Sequence, residues 1–134
     1  MNKGNSLAWD DWGCTGASLQ AIAQNTYSGL TCQKWTFATL GNGLYKITCA
    51  QGGLAAEVLN CSATAGSKLD LYSYWGGSCQ QWNIERASDG SYVLASGNGN
   101  RVVDVPNAAT TTGTQLQIWD YLGNNAQKWL IQAP

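Results

Sequence analysis

The chain has 134 residues, enough for one domain with a buried core, a formal net charge of −1 and only 11% charged residues. Such a composition offers no basic field for a nucleic-acid backbone or an anionic membrane surface, and no apolar stretch is long enough to span a bilayer. Histidine is absent, which argues against most hydrolases and against a zinc or copper site. We therefore expect no metal, no cofactor, no nucleic acid and no membrane insertion. Sixteen Gly, seven Trp and six Tyr favour a turn-rich β protein.

A Gln-x-Trp motif occurs three times, each copy 47 residues after the last. Its members are Gln33 and Trp35, Gln80 and Trp82, and Gln127 and Trp129. An acidic residue precedes each motif by a constant distance, at Asp10, Glu57 and Asp104. This periodicity predicts three structural repeats, at about 1–41, 42–88 and 89–134, within a single domain over 1–134.

Within the repeats, short apolar runs alternate with turn residues, which predicts strands and no sustained helix. Asn42-Gly43 and Asp89-Gly90 are strong hairpin signals because both residue types tolerate positive φ. The predicted strands lie at 44–49, 54–58, 69–72, 91–95, 101–105 and 116–119. About four strands per repeat, roughly twelve in all, are typical of a closed or sandwiched β fold.

The first repeat is irregular. Leu19 stands 14 residues before Gln33, whereas the corresponding leucines of the other repeats stand 11 before theirs. This alignment places Ile22 where the other repeats have Tyr72 and Trp119. We expect the loops of this repeat to differ in length from those of the others.

The N-terminus of the first repeat is short. Tyr45, projected back by one repeat, falls before Met1, so the opening strand is expected to be largely absent. Residues 1–4 contain no signal-peptide core. We expect any export signal or neighbouring domain of the parent protein to lie outside this chain.

The cysteines follow the repeat. Cys14 and Cys32 recur as Cys61 and Cys79, and both positions are alanine in the third repeat. Since both members vanish together, we predict the disulfides Cys14–Cys32 and Cys61–Cys79, each worth about 3 kcal/mol in the chain-entropy model. They indicate an oxidising compartment and a secreted protein. Cys49 is expected to be a buried small apolar residue, and a metal cluster is disfavoured because no Cys-x-x-Cys or His accompanies these residues.

The third repeat contains the runs Asp-Val-Pro at 104–106, Gly-Thr-Gln-Leu-Gln-Ile-Trp-Asp at 113–120 and Gln-Lys-Trp at 127–129. With the two other motif copies, these runs resemble the ricin B-chain-type lectins and the related family 13 carbohydrate-binding modules. The resemblance covers essentially the whole chain and is loosest in the first repeat. It implies a β-trefoil, a six-stranded barrel capped by three hairpins, with up to three shallow sugar sites. Two features depart from the family: the Asn that often precedes the Gln is replaced by Cys32, Cys79 and Ala126, and the usual family disulfide joins other positions.

A neutral sugar is best held by a carboxylate that accepts from two hydroxyls and an aromatic ring beneath its C–H face. The third repeat supplies Asp104 and, 15 residues later, Trp119. Gln117 falls where the lectins place a polar contact, and Asn125 is the candidate to replace the missing Asn. The alternative is that Asp104 caps a turn and Trp119 packs on a strand.

The other two repeats offer weaker candidates. The second has Glu57 with Tyr72 and Trp75, and Glu must hold hydroxyls differently because it is one methylene longer than Asp. In the first repeat Ile22 occupies the aromatic position on our alignment. Its remaining candidates are Asp10 or Asp11 for the acid and Tyr27, Trp9 or Trp12 for the ring.

The motif residues are expected to be structural. Trp35, Trp82 and Trp129 recur without exception and flank strand ends, which favours the core. Their glutamines are expected to bond backbone around each site.

The sequence predicts a non-catalytic, monomeric module that binds galactose-type or xylan-type polysaccharide and is attached to a secreted glycoside hydrolase. A free-standing lectin would share the same residues, and a trefoil protease inhibitor would use a loop unique to one copy, for which 24–31 is the candidate. Catalysis is disfavoured because acids at equivalent positions of a threefold fold lie too far apart for a glycosidase pair, and no Gly-x-Ser-x-Gly is present.

Overall fold

The computed structural model describes residues 1–133, and Pro134, the last residue of the predicted third repeat, lies outside them. The fold is all-β, with short 3-10 turns as the helical segments of the described chain. Its strands are β1 (Ala8–Asp11), β2 (Ile22–Asn25), β3 (Trp35–Gly41), β4 (Leu44–Cys49), β5 (Ala55–Val58), β6 (Leu69–Tyr72), β7 (Trp82–Arg86), β8 (Tyr92–Ser96), β9 (Val102–Asp104) and β10 (Gln117–Trp119). Within residues 1–133 no helix is long and apolar enough to cross a membrane.

Each repeat forms one antiparallel hairpin of the same register. The hairpins are β1–β2, β5–β6 and β9–β10, with Asp10 opposite Ala23, Glu57 opposite Asp70 and Asp104 opposite Gln117. Isolated bridges then join the second strands of the hairpins in a ring: Ala21 to Asp70, Lys68 to Gln117, and Gln115 to Ala23. The three hairpins therefore meet around one axis, as in a β-trefoil.

The remaining strands form the barrel. β3 pairs with β4, β4 with β7, and β7 with β8. The series continues through Tyr92 and Trp129, which exchange backbone hydrogen bonds of 2.8 and 2.9 Å. The all-β trefoil implied by the family resemblance is confirmed.

The motif tryptophans lie against this barrel and hold the hairpins to it. Each indole N–H donates to the backbone carbonyl one residue before the repeat's acid. The bonds are Trp35 to Trp9 at 3.2 Å, Trp82 to Ala56 at 3.1 Å and Trp129 to Val103 at 3.3 Å. Each motif therefore fixes the strand on which its acid lies.

The N-terminal residues Met1 and Asn2 pair with the last strand segment of the barrel. Trp35 pairs with Cys49, Trp82 with Ser96 and Trp129 with Asn2, so Asn2 stands where the other repeats end a full strand. The Met1 ammonium donates to the Leu130 carbonyl at 2.8 Å, and the Leu130 N–H donates back at 2.7 Å.

A groove of about 350 Å³ lies beside Trp35. Its lining includes Trp35, Phe37, Leu130 and Ile131. Trp9 fills part of the space beside it by packing edge-on against Trp35 and Trp129, with ring centroids 5.6 and 5.7 Å apart. Trp35 is therefore only half-buried, unlike the motif tryptophans of the other repeats.

The predicted alignment of the first repeat is wrong. Ile22 is fully buried and opens its strand as Leu69 does, while Asn25, not Ile22, stands in the place of Tyr72. Leu19 is an exposed loop residue with φ of 66°, one repeat before Gly66, which has φ of 90°. The apolar side chain of Leu19 suggested a core residue, but its backbone belongs to a turn. The 47-residue step therefore also holds between the hairpins of the first and second repeats.

The two predicted hairpin turns differ. Asn42 and Gly43 both have positive φ, 55° and 78°, as predicted for a tight turn. At the second turn only Gly90 does, with φ of 86°. Asp89 instead accepts hydrogen bonds from the Ser91 N–H and hydroxyl at 2.9 and 2.6 Å, which stabilises a longer loop.

Both predicted disulfides are formed, with Cα–Cα distances of 5.2 Å for Cys14–Cys32 and 5.0 Å for Cys61–Cys79. Cys49 is a free, buried thiol. Burial raises the pKa of this thiol to about 11, which keeps it protonated and unreactive at neutral pH.

We expect iodoacetamide at pH 8 to modify no cysteine in the native protein, one in denaturant and five after reduction, as counted by intact mass. Cys49 is the free thiol of the described chain, and denaturant makes it accessible to the reagent. Five modified cysteines without reduction would contradict the disulfides.

The motif tryptophans should differ in their contribution to stability. Trp82→Ala opens a cavity at a fully buried site and should lower the free energy of unfolding by about 3–5 kcal/mol. Trp35→Ala should cost clearly less, because the Trp35 ring already borders the groove. Urea unfolding curves measure both, and the reverse order would contradict this account of the groove.

Candidate functional site

The hairpins present three equivalent groups of side chains, which we number as sites. Site 1 consists of Asp10, Ala23, Asn25 and Tyr27; site 2 of Glu57, Asp70, Tyr72 and Tyr74; and site 3 of Asp104, Gln117, Trp119 and Tyr121. In each site the first residue is the acid, the second lies opposite it across the hairpin, and the third lies two residues further along the same strand face.

The motif glutamine closes the loop beside each site. The amide N–H groups of Gln33, Gln80 and Gln127 donate to the carbonyls of Thr26, Ser73 and Asp120 at 2.9, 2.9 and 2.8 Å. Their amide oxygens accept from the N–H groups of Ser28, Trp75 and Leu122 at 2.7, 2.9 and 2.7 Å. In the first two repeats the amide N–H also donates to the acid, at 2.9 Å to Asp10 and 3.0 Å to Glu57. The glutamines therefore hold both the loop and the carboxylate.

Site 3 places a carboxylate beside an open aromatic ring. The Gln117 amide donates to Oδ2 of Asp104 at 2.8 Å, and Lys68 in turn donates to Gln117 at 3.2 Å. Within residues 1–133, the Gln117 bond is made to Oδ2 and no hydrogen bond is made to Oδ1 of Asp104, a residue that is 6% exposed. Trp119 is 39% exposed, next to Gly66. Burial raises the pKa of Asp104, an effect that the amides of Gln117 and Gln127 oppose.

Asn125 lies away from this group. Its side chain borders a small cavity with Gly4 and Asn5, and no hydrogen bond of the described chain joins it to Asp104. The loop of site 3 instead carries Tyr121, which is 60% exposed.

Site 2 has a longer acid and an additional indole. The Trp75 Nε1–H donates to Oε2 of Glu57 at 3.3 Å, and its ring is 59% exposed. Gly77 allows this arrangement, because a Cβ at that position would overlap the Trp75 ring. Tyr72 is exposed on the same strand face as Asp70. The structure thus brings Trp75 into contact with Glu57 and places Tyr72 on the same face of the hairpin.

Asp70 was not recognised from the sequence. It lies opposite Glu57, in the place that Gln117 takes opposite Asp104, and is only 2% exposed. Neither of its carboxylate oxygens has a hydrogen-bond partner among residues 1–133. Burial, reinforced by the negative charge of Glu57, raises the pKa of Asp70 to about 7.

Glu57 and Asp70 belong to one repeat, so the argument that acids at equivalent positions lie far apart does not cover this pair. The offset of 13 residues that joins Asp104 to Gln117 also joins Glu57 to Asp70 and would have revealed it. Because both oxygens of Asp70 are buried, only Glu57 can contact a ligand, and the pair does not have the arrangement of two substrate-facing glycosidase carboxylates.

Site 1 is the least open. Oδ2 of Asp10 accepts from both Gln33 and Asn25 at 2.9 Å, and Asn25 occupies the place of the aromatic ring. Asp11 faces the interior and accepts from the Gly16 N–H at 2.7 Å, and burial raises its pKa. Asp10 is thus the acid of this site. Of the rings suggested for it, Trp9 is in the core, Trp12 packs beside Gly113 and Tyr27 is exposed on the site's loop.

Each site also has an exposed tyrosine on its loop. Tyr27, Tyr74 and Tyr121 are one repeat apart and are all exposed. The ammonium of Lys46 lies 4.9 Å from the centroid of the Tyr74 ring. The 47-residue step alone would have identified these rings. Of the described residues, no cluster of three or more His, Cys, Asp or Glu is placed to hold a metal ion.

The threefold β fold is a β-trefoil with an acid on each hairpin and an exposed tyrosine on each adjoining loop. A family model described as "Ricin-type beta-trefoil lectin domain-like" matches residues 1–72, 31–119 and 78–133. The chain belongs to this family. A comparison of the sequence with curated proteins finds no match.

Solved structures are similar over most of the chain. The designed threefold symmetric protein ThreeFoil has a TM-score of 0.95 and 32% identity, over 96% of this chain and 92% of its own. The exo-β-1,3-galactanase 1,3Gal43A of Clostridium thermocellum has a TM-score of 0.93 and 29% identity over 96% of this chain, which corresponds to 28% of the galactanase. The Rhizoctonia solani agglutinin has a TM-score of 0.85 at 17% identity, over 96% of this chain and 87% of its own, and shares the fold.

We expect Gly77→Ala to displace the Trp75 ring without unfolding the protein. Gly77 has φ of −69°, which alanine adopts freely, and the exposed ring is the group that must move. The Trp75 indole N–H should lose its bond to Glu57 and exchange faster with water, as measured by NMR. Ser78→Ala, on the neighbouring exposed residue, should change neither this exchange nor the melting temperature. An unchanged Trp75 signal in Gly77→Ala would contradict this prediction.

Proposed function

We propose that this protein is a non-catalytic carbohydrate-binding module for galactose-type polysaccharide and that site 3 is its principal site. The observation that carries the proposal is the pairing of Asp104 with Trp119. Oδ1 of Asp104 can accept from sugar hydroxyls, and the exposed Trp119 ring offers a flat surface to a C–H face. The hydrogen bond from Gln117 already restrains the Asp104 carboxylate, so little conformational entropy of this side chain is lost on binding.

Site 2 is proposed as a second, weaker site and site 1 as the least active. Glu57 keeps one oxygen for a ligand, but its other oxygen already accepts from Gln80 and Trp75. Asp10 accepts twice on one oxygen and has an amide where a ring would be needed. Several weak sites would raise the apparent affinity for a polymer through effective concentration.

The attachment to a secreted glycoside hydrolase is supported by the galactanase, of which a region of this size is similar to the chain. The galactanase also favours a galactose-type ligand over xylan, which stays the second candidate. Two disulfides support an extracellular location. A free-standing lectin would have the same sites, and the sequence adjoining this domain in its gene distinguishes the two.

A protease inhibitor is less well supported. The predicted reactive loop 24–31 is closed by Gln33 in the same way as its counterparts in the other repeats. Gln24, at its start, is buried and donates to the carbonyls of Ala109 and Thr111 at 2.9 Å. A reactive loop would need to be exposed and unique to one copy.

Asp104→Asn should weaken sugar binding about ten- to a hundredfold, because a charged acceptor of two hydroxyls contributes about 1.5–3 kcal/mol. Isothermal titration with galactose, galactan and xylan measures the loss, and thermal melting should be little changed. The matched control is Asp120→Asn, an exposed acid paired with Arg101 at 2.9 Å, which should bind as the parent does.

Trp119→Ala should weaken binding to a similar degree through loss of the ring surface. If Asp104→Asn binds normally while Glu57→Gln does not, site 2 is the principal site and the ranking is wrong. If the parent protein binds none of the three ligands, the proposed specificity is overturned.

A further inference from the structure

Site 2 contains a carboxyl group, that of Asp70, which is buried without a hydrogen-bond partner among the described residues. Asp70 is almost fully buried, yet neither of its oxygens has a partner among the described residues. A charged carboxylate in such a place would be strongly destabilising, since burial without compensation costs several kcal/mol. Its neighbour across the hairpin is another acid, Glu57.

The equivalent pair in site 3 shows what this position does. Gln117 stands opposite Asp104 in the same register and donates an N–H to its carboxylate at 2.8 Å. A charged aspartate has no hydrogen to donate, whereas a protonated carboxyl group has one. Protonation is therefore the state in which Asp70 can do for Glu57 what Gln117 does for Asp104.

We propose that Asp70 is protonated in the folded protein and donates a hydrogen bond to Glu57, so that Asp70 is the positioning residue for the carboxylate with which site 2 binds sugar. The sugar-binding part of this inference rests on the proposed function. Because the oxygens of Asp70 are buried, the residue acts through Glu57 and does not contact the ligand.

The surroundings of Asp70 leave Glu57 as the titratable group that faces it. On the other side of its strand Asp70 pairs with Ala21, which is uncharged. Lys68, two residues earlier, directs its ammonium to Gln117 in the neighbouring site. No cation among residues 1–133 forms an ion pair with Asp70 and competes with the proton.

The proposal predicts a defined pH dependence. Burial, then the charge of Glu57, raises the pKa of Asp70 from 3.8 to about 7. The folded state therefore binds more protons than the unfolded state between these values. The stability contributed by this group is complete below pH 4 and is lost as the pH rises through about 7. Sugar affinity at site 2 should fall over the upper part of the same range.

The first test measures the proton without a sugar. Carbon-13 NMR of the side-chain carboxyl groups follows the titration of Asp70, and urea unfolding between pH 4 and pH 9 follows stability. We expect Asp70 to titrate near neutral pH, and Asp70→Asn to remove the loss of stability that the parent shows through pH 7. Titration of Asp70 below pH 5 would overturn the proposal.

The second test measures the effect on Glu57, in an Asp104→Asn background that silences site 3. In that background site-2 affinity for galactan should fall about fivefold from pH 5 to pH 9, the effect of one hydrogen bond. Asp70→Asn, which donates at every pH, should bind equally well across the range. Asp70→Leu, which donates at none, should bind weakly throughout. A merely structural role for Asp70 would give the parent and Asp70→Asn the same pH profile, and that result would also overturn the proposal.

The two tests distinguish the protonation of Asp70 from the sugar-binding function of site 2. If no variant binds galactan at any pH, the proposed function of site 2 fails. The NMR and unfolding measurements still decide whether Asp70 holds the proton.

Discussion

The indole N–H of each motif tryptophan donates to the backbone carbonyl that directly precedes the acid of the same repeat. Two residues before that tryptophan, the motif glutamine closes the neighbouring loop and, in the first two repeats, also donates to the acid itself. The core and the sites are therefore held by the same three-residue motif. Because the motif fixes both the strand and the loop, the acid and the exposed tyrosine of each repeat keep a constant relation. This constraint explains why the spacing between acid and motif is invariant although the residues around it vary.

The backbone register is the same in all three hairpins, and the residue opposite the acid sets the chemistry of each site. Gln117 donates to Asp104 and is itself held by Lys68, and both residues oppose the effect of burial on the pKa of Asp104. Ala23 has no group to donate to Asp10, and the neighbouring Asn25 supplies the hydrogen bond and displaces the ring. In site 2, the hydrogen bond that positions Glu57 depends on the protonation of Asp70. A threefold fold can thus carry three sites of different affinity and different pH response without any change in backbone register.

Most of the fold could be predicted from the sequence because the repeat is strict. The 47-residue step located two of the three hairpins, the motif tryptophans and both disulfides, each of which depends on local spacing. The misplacement of Leu19 arose because an apolar side chain was taken as a core residue, whereas its backbone conformation belongs to a turn. The three candidates of site 2 could be grouped from the sequence, but the burial of Asp70 could not, because Asp70 pairs with Ala21 of the first repeat where the hairpins meet. Burial of this kind depends on packing between repeats, which spacing within one repeat does not report.

The least regular repeat is also the one whose site has changed most, and packing connects the two observations. Trp9 packs in the core beside Trp35 and a groove, where the other repeats have Ala56 and Val103. Trp9 directly precedes Asp10, so the larger core side chain and the site acid share one four-residue strand. Asp10 in turn is held by two amides on a single oxygen, which fixes it firmly but leaves it less able to respond to a ligand. We infer that the first repeat chiefly stabilises the trefoil, and that recognition is left to the two repeats whose strands before the acid carry small residues and whose platforms stay aromatic.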